Sequence, residues 1–202
     1  EKVSERLQRE GSTEIDFKTL DHYIASIRRY IKPNLEIPTL EEFGHALYGL
    51  SGTFFQELPN APRKYRDAVG GLGSLDQFYN NLRDVREDVE RGIIYFPSEL
   101  LDMFKVGRDE LRQLIVNPDR RFVEMMQFLL EEYEPFLRQS AEPLLTTDLR
   151  ETDFPFSWKL MMGSLSERYG RIRNVFETNG YNSNSFSRNY WEAVRNRFTP
   201  DV

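Results

Sequence analysis

The stretch from Gln77 to Arg91 contains no proline and no glycine, and no other feature limits the folding of this chain as tightly. Such a run predicts one continuous helix, and Gly92 supplies its stop. At about 100° per residue, Gln77, Asn80, Asp84, Asp88 and Arg91 fall within an arc of roughly 80°. One helix face therefore carries two amides, two carboxylates and a guanidinium. Carboxylates four residues apart repel by roughly a few tenths of a kcal/mol when nothing lies between them. A divalent cation between them reverses the sign. Mg²⁺ suits such a pair, because it takes one or two carboxylates and leaves its other positions to water and phosphate oxygens.

A solvated, salt-bridged helix face is the ordinary origin of a run with charges of both signs. Arg83–Glu87 and Arg86–Glu90 have the i,i+4 spacing of ion pairs. Two observations count against that reading. Gln77 and Asn80 extend the polar stripe with no charge partner of their own. The neighbours are apolar: Leu72, Leu75, Phe78, Leu82 and Val85, then Ile93, Ile94, Tyr95 and Phe96. A polar stripe on so apolar a helix is expected to face a pocket.

The rest of the chain reads as helices with local punctuation and no strand alternation of useful length, so the fold class is all-α. Residues 1–15 are polar and expected to be mobile or weakly helical. Helices are predicted at about 16–30, from Thr39 onward, at 63–90, at 98 onward, at 108–115, after Asn117-Pro118, at 155–179 and at 185–198. Thr39 with Glu42 is a capping box, and Pro118 is placed in the first turn of its helix. Pro135 is expected to kink or interrupt the helix carrying Phe122, Met125, Met126, Leu129 and Leu130. Residues 143–153 are expected to form a polar connection. The glycines Gly70, Gly71 and Gly73 sit inside a predicted helix, where each costs up to about 1 kcal/mol. They lack the spacing and the preceding strand of a dinucleotide site. Close helix approach, or room for a ligand, accounts for them better.

The chain of 202 residues is 39% hydrophobic and 30% charged, enough for one domain, 1–202, with its own core. A net charge of −6 without a basic stripe excludes a typical nucleic-acid binder. There is no cysteine, so disulfides, zinc–thiolate sites and a cysteine nucleophile are excluded. No apolar run approaches the roughly 20 residues that span a bilayer. His22 and His45 stand alone, with neither metal-ligand spacing nor a serine partner.

The run Q-x-x-N-x-L-R-D-x-x-E-D-x-x-R-G-x-x-Y-x-P, from Gln77 to Tyr95 and Pro97, resembles the second aspartate-rich motif of the squalene/phytoene synthases. Two further segments resemble that family in the right order. Tyr48-Gly49-Leu50-Ser51-Gly52-Thr53-Phe54 is similar to Y-x-V-A-G-T-V. Tyr169, Ile172, Glu177 and Gly180-Tyr181 are similar to Y-x-x-I-L-x-x-I-E-x-x-G-Y. The resemblance covers roughly residues 40 to 198. The chain departs from the pattern at Ala46, Ser51 and Phe54, which alter pocket shape. It has no match to the family's first aspartate-rich motif. Asp16 and Asp21 are five apart and on different faces, and 83 residues precede Asp84. The chain is therefore expected to be the C-terminal two-thirds of such a domain, lacking N-terminal helices.

The resemblance implies an isoprenoid synthase-type helical bundle and a head-to-head prenyl transferase. Two farnesyl or geranylgeranyl diphosphates would condense to squalene, presqualene diphosphate or phytoene. It implies Mg²⁺ on Asp84 and Asp88, with NADPH added if squalene is formed. Arg83 and Arg91 would contact phosphate, and Asn80 would join the metal or diphosphate shell. Gln77 would orient water or substrate. Tyr48 and Tyr169 would stabilise the allylic cation by their faces or orient a diphosphate oxygen through their hydroxyls, although most tyrosines in such a chain are core. Gly52 and Thr53 would line the tail channel by being small. The implied location is cytoplasmic, with peripheral membrane contact through the apolar product. The alternative is a non-catalytic assembly or interaction protein on the same fold, which the absent first motif favours and the intact second motif opposes.

Overall fold

The computed structural model describes residues 16–148, 153–184 and 186–198. The predicted behaviour of residues 1–15 lies outside them. The described residues are helical and contain no strand. Helix α1 spans Phe17–Tyr30 and α2 Leu40–Leu47. A π turn at Tyr48–Gly52 leads into the short α3, Thr53–Gln56. A 3₁₀ turn at Arg63–Tyr65 opens the longest helix, α4, Arg66–Glu90. Then follow α5, Ser98–Met103, α6, Leu111–Leu114, and α7, Arg120–Phe128. A second π turn, Leu129–Tyr133, joins α7 to α8, Glu134–Leu145. Helices α9, Phe156–Thr178, and α10, Phe186–Phe198, close the described chain.

Helix α4 is the axis of the fold. Helix α8, the Tyr48–Gly52 turn and α3 pack on it most extensively, with α2 and α9 beside them. Its residues from Ala68 to Asp76 are all buried, a segment with neighbours on every side, in which Ser74 and Asp76 are polar. The glycines make that possible. A Cβ on Gly73 would stand 2.5 Å from the Ser51 carbonyl oxygen, and one on Gly71 would stand 2.7 Å from the backbone of Ser140. Close helix approach is thus what Gly71 and Gly73 serve.

Local chemistry sets the helix ends. Asp16 caps α1 by accepting from Lys18 N, and Thr39 caps α2 by accepting from Glu42 N at 3.1 Å. The Glu42 side chain does not complete a capping box. It turns to the Tyr30 hydroxyl at 2.6 Å and to Arg29 at 2.5 Å, tying α2 to α1. Gly92, at φ +78°, adopts the left-handed conformation that ends α4, and Gly180 does the same after α9.

Two expectations are corrected, and the one at Pro135 is met. Asp119, not Asn117-Pro118, caps α7 by accepting from Phe122 N, so Pro118 precedes the cap and is outside the first turn. The interruption at Pro135 takes the form of a π turn, because a proline ring cannot sit over the carbonyl four residues back in α geometry. The polar connection does not begin at 143, because α8 runs through Pro143 to Leu145. Burial of Ala141 and Leu144 outweighs the hydrogen bond that Pro143 cannot make.

Candidate functional site

The polar stripe of α4 divides into two groups, and tertiary packing decides the division. At the C-terminal end of the helix, Asp88 and Asn81 face an apolar slot lined by Phe43, Phe78, Leu82, Val85, Val89, Tyr95 and Leu129. The slot encloses about 20 Å³, room for about one water molecule and too narrow for a prenyl chain in this structure. Burial pushes the Asp88 carboxyl up from 3.8 to about 6, and the nearby Asp84 charge adds to the shift. Burial, with the Asp88 carboxylate behind it, raises the Tyr95 hydroxyl to about 12.

Asp84 does not line the slot. Its two oxygens accept from Arg83 Nε at 2.7 Å and Nη2 at 2.6 Å, a bidentate pair between sequence neighbours. The expected Arg83–Glu87 pair is therefore not formed. Glu87 instead meets Arg91 at 3.6 Å, with both side chains exposed, while Arg86 and Glu90 pair at 3.0 Å as their spacing predicts. Arg91 thus sits at the surface, at the end of α4.

Asn80 and Tyr169 belong to the second group. Asp76, only 7% exposed, accepts from Asn80 Nδ2 at 3.1 Å, from the Tyr169 hydroxyl at 3.2 Å and from the Arg168 guanidinium. The Tyr169 ring lies parallel to Tyr79 at 4.6 Å. The Tyr79 hydroxyl donates to the buried Glu134 at 3.0 Å, and Arg138 pairs with the same carboxylate. A chain of polar contacts therefore crosses from α9 through α4 to α8. Burial raises both tyrosine hydroxyls far above their usual range, so each acts as a donor. Gln77 takes a third course and donates to Asn81 Oδ1 at 2.8 Å.

The Tyr48 segment lies elsewhere on α4. The Tyr48 hydroxyl accepts from Gln56 Nε2 at 2.9 Å, and its ring fills the space beside Gly52 and Gly70. A Cβ on Gly52 would stand 2.8 Å from the Gly70 carbonyl oxygen. Thr53 is buried and donates to the Gly49 carbonyl at 2.8 Å. The smallness of Gly52 and the hydroxyl of Thr53 thus serve the π turn and its crossing of α4. Tyr48 and Tyr169 do not meet.

The sequence singles out neither Asp76, Asn81 nor Arg168, and it shows Tyr95 only as part of the motif. Asn81 was within reach of the same reasoning: it falls about 40° from Gln77 on a helical wheel, beside Asp88. Its Nδ2 atom is buried without a hydrogen-bond partner, so the slot carries an unused donor beside a half-buried acid. Asp76 and Arg168 carry no signal at sequence level, because 92 residues separate them.

These residues fit a divalent cation. The Asp84 charge raises the proton affinity of Asp88, the repulsion that a cation one turn apart would relieve. No cluster of three His, Asp or Glu side chains with metal-binding geometry occurs among the described residues. A cation here would complete its shell with water and phosphate oxygens, as Mg²⁺ does.

Comparison with known proteins places the chain by family. The sequence profile described as squalene/phytoene synthase matches residues 5–192. The chain is 34% identical over 124 residues to the 15-cis-phytoene synthase of Synechocystis sp., across 61% of this chain and 34% of that protein. It is 32% identical over 125 residues to the 15-cis-phytoene synthase of Synechococcus elongatus, across 61% of this chain and 37% of that protein. It is 33% identical over 112 residues to a phytoene synthase of Arthrospira platensis, across 54% of this chain and 33% of that protein. The matched part of the chain spans about a third of the length of these curated relatives. With an all-α fold and a family profile matched over nearly its whole length, the chain belongs to the squalene/phytoene synthase family.

Proposed function

We propose that this chain forms part of an enzyme that condenses two prenyl diphosphates head to head, with phytoene as the product. The observation that carries the reading is Asp88, half-buried at an apolar slot and one turn from Asp84, inside the family's motif. The names of the relatives favour phytoene, hence loss of a proton in the last step and not reduction by NADPH.

A divalent cation such as Mg²⁺, bound by Asp84 and Asp88 with water and diphosphate oxygens, would supply charge neutralisation for the leaving group. The protein does the rest. Arg83 is paired with Asp84 in this structure, and its guanidinium would suit a bidentate phosphate contact. Asn80 contributes its amide oxygen, and Gln77, held by Asn81, lies one turn further back on α4. The apolar walls keep water from the allylic cation. Phe43, Phe78 and Tyr95 line the slot, and in a slot widened to admit the substrate their rings would each stabilise positive charge by about 0.5–2 kcal/mol. Tyr95 keeps its proton at neutral pH and serves as a donor, not a base. Tyr169 acts through Asp76, and Tyr48 through the packing of the π turn.

Among the described residues no helix is long and apolar enough to cross a membrane. Phe156, Leu160 and Trp191 are 78%, 62% and 60% exposed on α9 and α10, which supports peripheral contact with the membrane that receives the product.

The test is product analysis by mass spectrometry on the intact protein, with farnesyl or geranylgeranyl diphosphate, with and without NADPH. The expected result is phytoene from geranylgeranyl diphosphate without NADPH. Asp84→Ala and Asp88→Ala should each abolish turnover while the helical circular dichroism stays. Activity in both variants overturns the reading. No turnover by the wild type, with cation and pyrophosphate still bound, points to the interaction protein instead.

A further inference from the structure

The buried carboxylate of Asp76 lies one turn before Asn80 and about two turns before Asp84 on α4. We propose that Asp76 is a positioning residue that sets the direction of the Asn80 amide, so that Asn80 turns its carbonyl oxygen, and not its NH₂, toward the cation and diphosphate. The inference rests on the cation-binding reading of Asp84 and Asp88.

An amide side chain is nearly symmetric in shape, and its two ends differ only in donating or accepting. A hard cation takes carbonyl oxygens and has no use for an NH₂ group. A ligand amide must therefore be oriented by its neighbours. Asp76 provides such a neighbour: both of its carboxylate oxygens accept hydrogen bonds here. Asn80 Nδ2 donates to Asp76 Oδ2 at 3.1 Å, which leaves Oδ1 on the other side of the amide. Were residue 76 an amide or a hydroxyl, either end of Asn80 could face it.

The carboxylate is itself held. Its second oxygen accepts from the Arg168 guanidinium and from the Tyr169 hydroxyl at 3.2 Å, both on α9. Tyr169 is 1% exposed and stacked on Tyr79, which is tied to Glu134 of α8. Asp76 thus cannot rotate to follow Asn80; the amide must turn to meet it. Arg168 pairs with this carboxylate as its countercharge and holds it in place from α9.

The test measures Mn²⁺ uptake by the intact protein in the presence of inorganic pyrophosphate, from the loss of the free-ion signal in electron paramagnetic resonance. Asp76→Asn should weaken Mn²⁺ binding by about tenfold or more, the usual effect of losing a group that orients a metal ligand. The double variant Asp76→Leu/Arg168→Leu, which removes both charges and keeps the core apolar, should do the same. In an Asn80→Ala background neither change should weaken binding further, because there is no amide left to orient. A loss that persists in full in that background overturns the inference, since Asp76 would then act through the fold. So does unchanged binding in Asp76→Asn. Wild-type protein that takes up no Mn²⁺ with pyrophosphate overturns this inference together with the cation-binding reading on which it rests.

Discussion

Replacing Asp88 with asparagine is expected to make the unliganded protein more stable at neutral pH. The folded state holds the Asp88 carboxyl at about 6 against 3.8 for the free group, first through burial and then through the Asp84 charge. Each unit corresponds to about 1.4 kcal/mol, so the bare conversion is about 3 kcal/mol. The side chain is only half-buried, and solvent screening reduces this to about 1–2 kcal/mol. The sign follows from proton uptake. Below about pH 4 the carboxyl is protonated in both states and contributes nothing. Between about pH 4 and pH 6 the unfolded chain loses its proton first, so stability falls as pH rises through that window. Above about pH 6 the penalty is complete and constant. Asparagine cannot ionise, so Asp88→Asn should match the wild type near pH 4 and exceed it by about 1–2 kcal/mol near pH 7.5. Urea unfolding followed by circular dichroism across this range measures the difference. Adding Mg²⁺ with pyrophosphate should stabilise the wild type by mass action and leave the variant nearly unchanged. A variant less stable than the wild type near neutral pH, or a difference that does not vary with pH, would refute the reasoning.

Gly73→Ala places a Cβ 2.5 Å from the Ser51 carbonyl oxygen and 2.8 Å from Gly52 Cα, both backbone. It should cost about 2–3 kcal/mol in thermal unfolding, because the π turn and α4 must part. Gly163→Ala meets nothing within 4 Å on an exposed face of α9 and should stabilise by about 0.5–1 kcal/mol in the same assay. Thr39→Ala removes the acceptor for Glu42 N and should cost about 1 kcal/mol by urea unfolding. Arg138→Leu leaves the Glu134 carboxylate, 2% exposed, without its countercharge and should cost about 3 kcal/mol. Adding Glu134→Gln to it should restore most of that loss, as measured by chemical denaturation.

Much of the backbone plan is legible in the sequence because its punctuation is local. Asp16, Thr39, Gly92 and Gly180 act on groups within a few residues, and each ends or starts a helix where its chemistry says it should. The errors sit where a local rule competes with burial. Pro143 stays inside α8 because Leu144 next to it is fully buried, and Pro118 yields the cap to Asp119, whose side chain reaches the Phe122 amide. The glycines of α4 are visible in the sequence, but their use is not, since a close approach needs the partner backbone of Ser51 and Ser140.

The candidate site divides in the same way. Helical periodicity alone brings Gln77, Asn80, Asp84 and Asp88 to one side of α4, because a fixed turn per residue acts at short range. It also licenses the family resemblance, which lives in that spacing. Which of those side chains reaches the apolar slot, which is tied to Arg83 and which is bonded to Asp76 depends on α2, α8 and α9 arriving from elsewhere in the chain. Burial and countercharge act through space and not along the sequence. The order of these side chains was therefore written in the chain, while their surroundings and hydrogen-bond partners were decided only by the packing around α4.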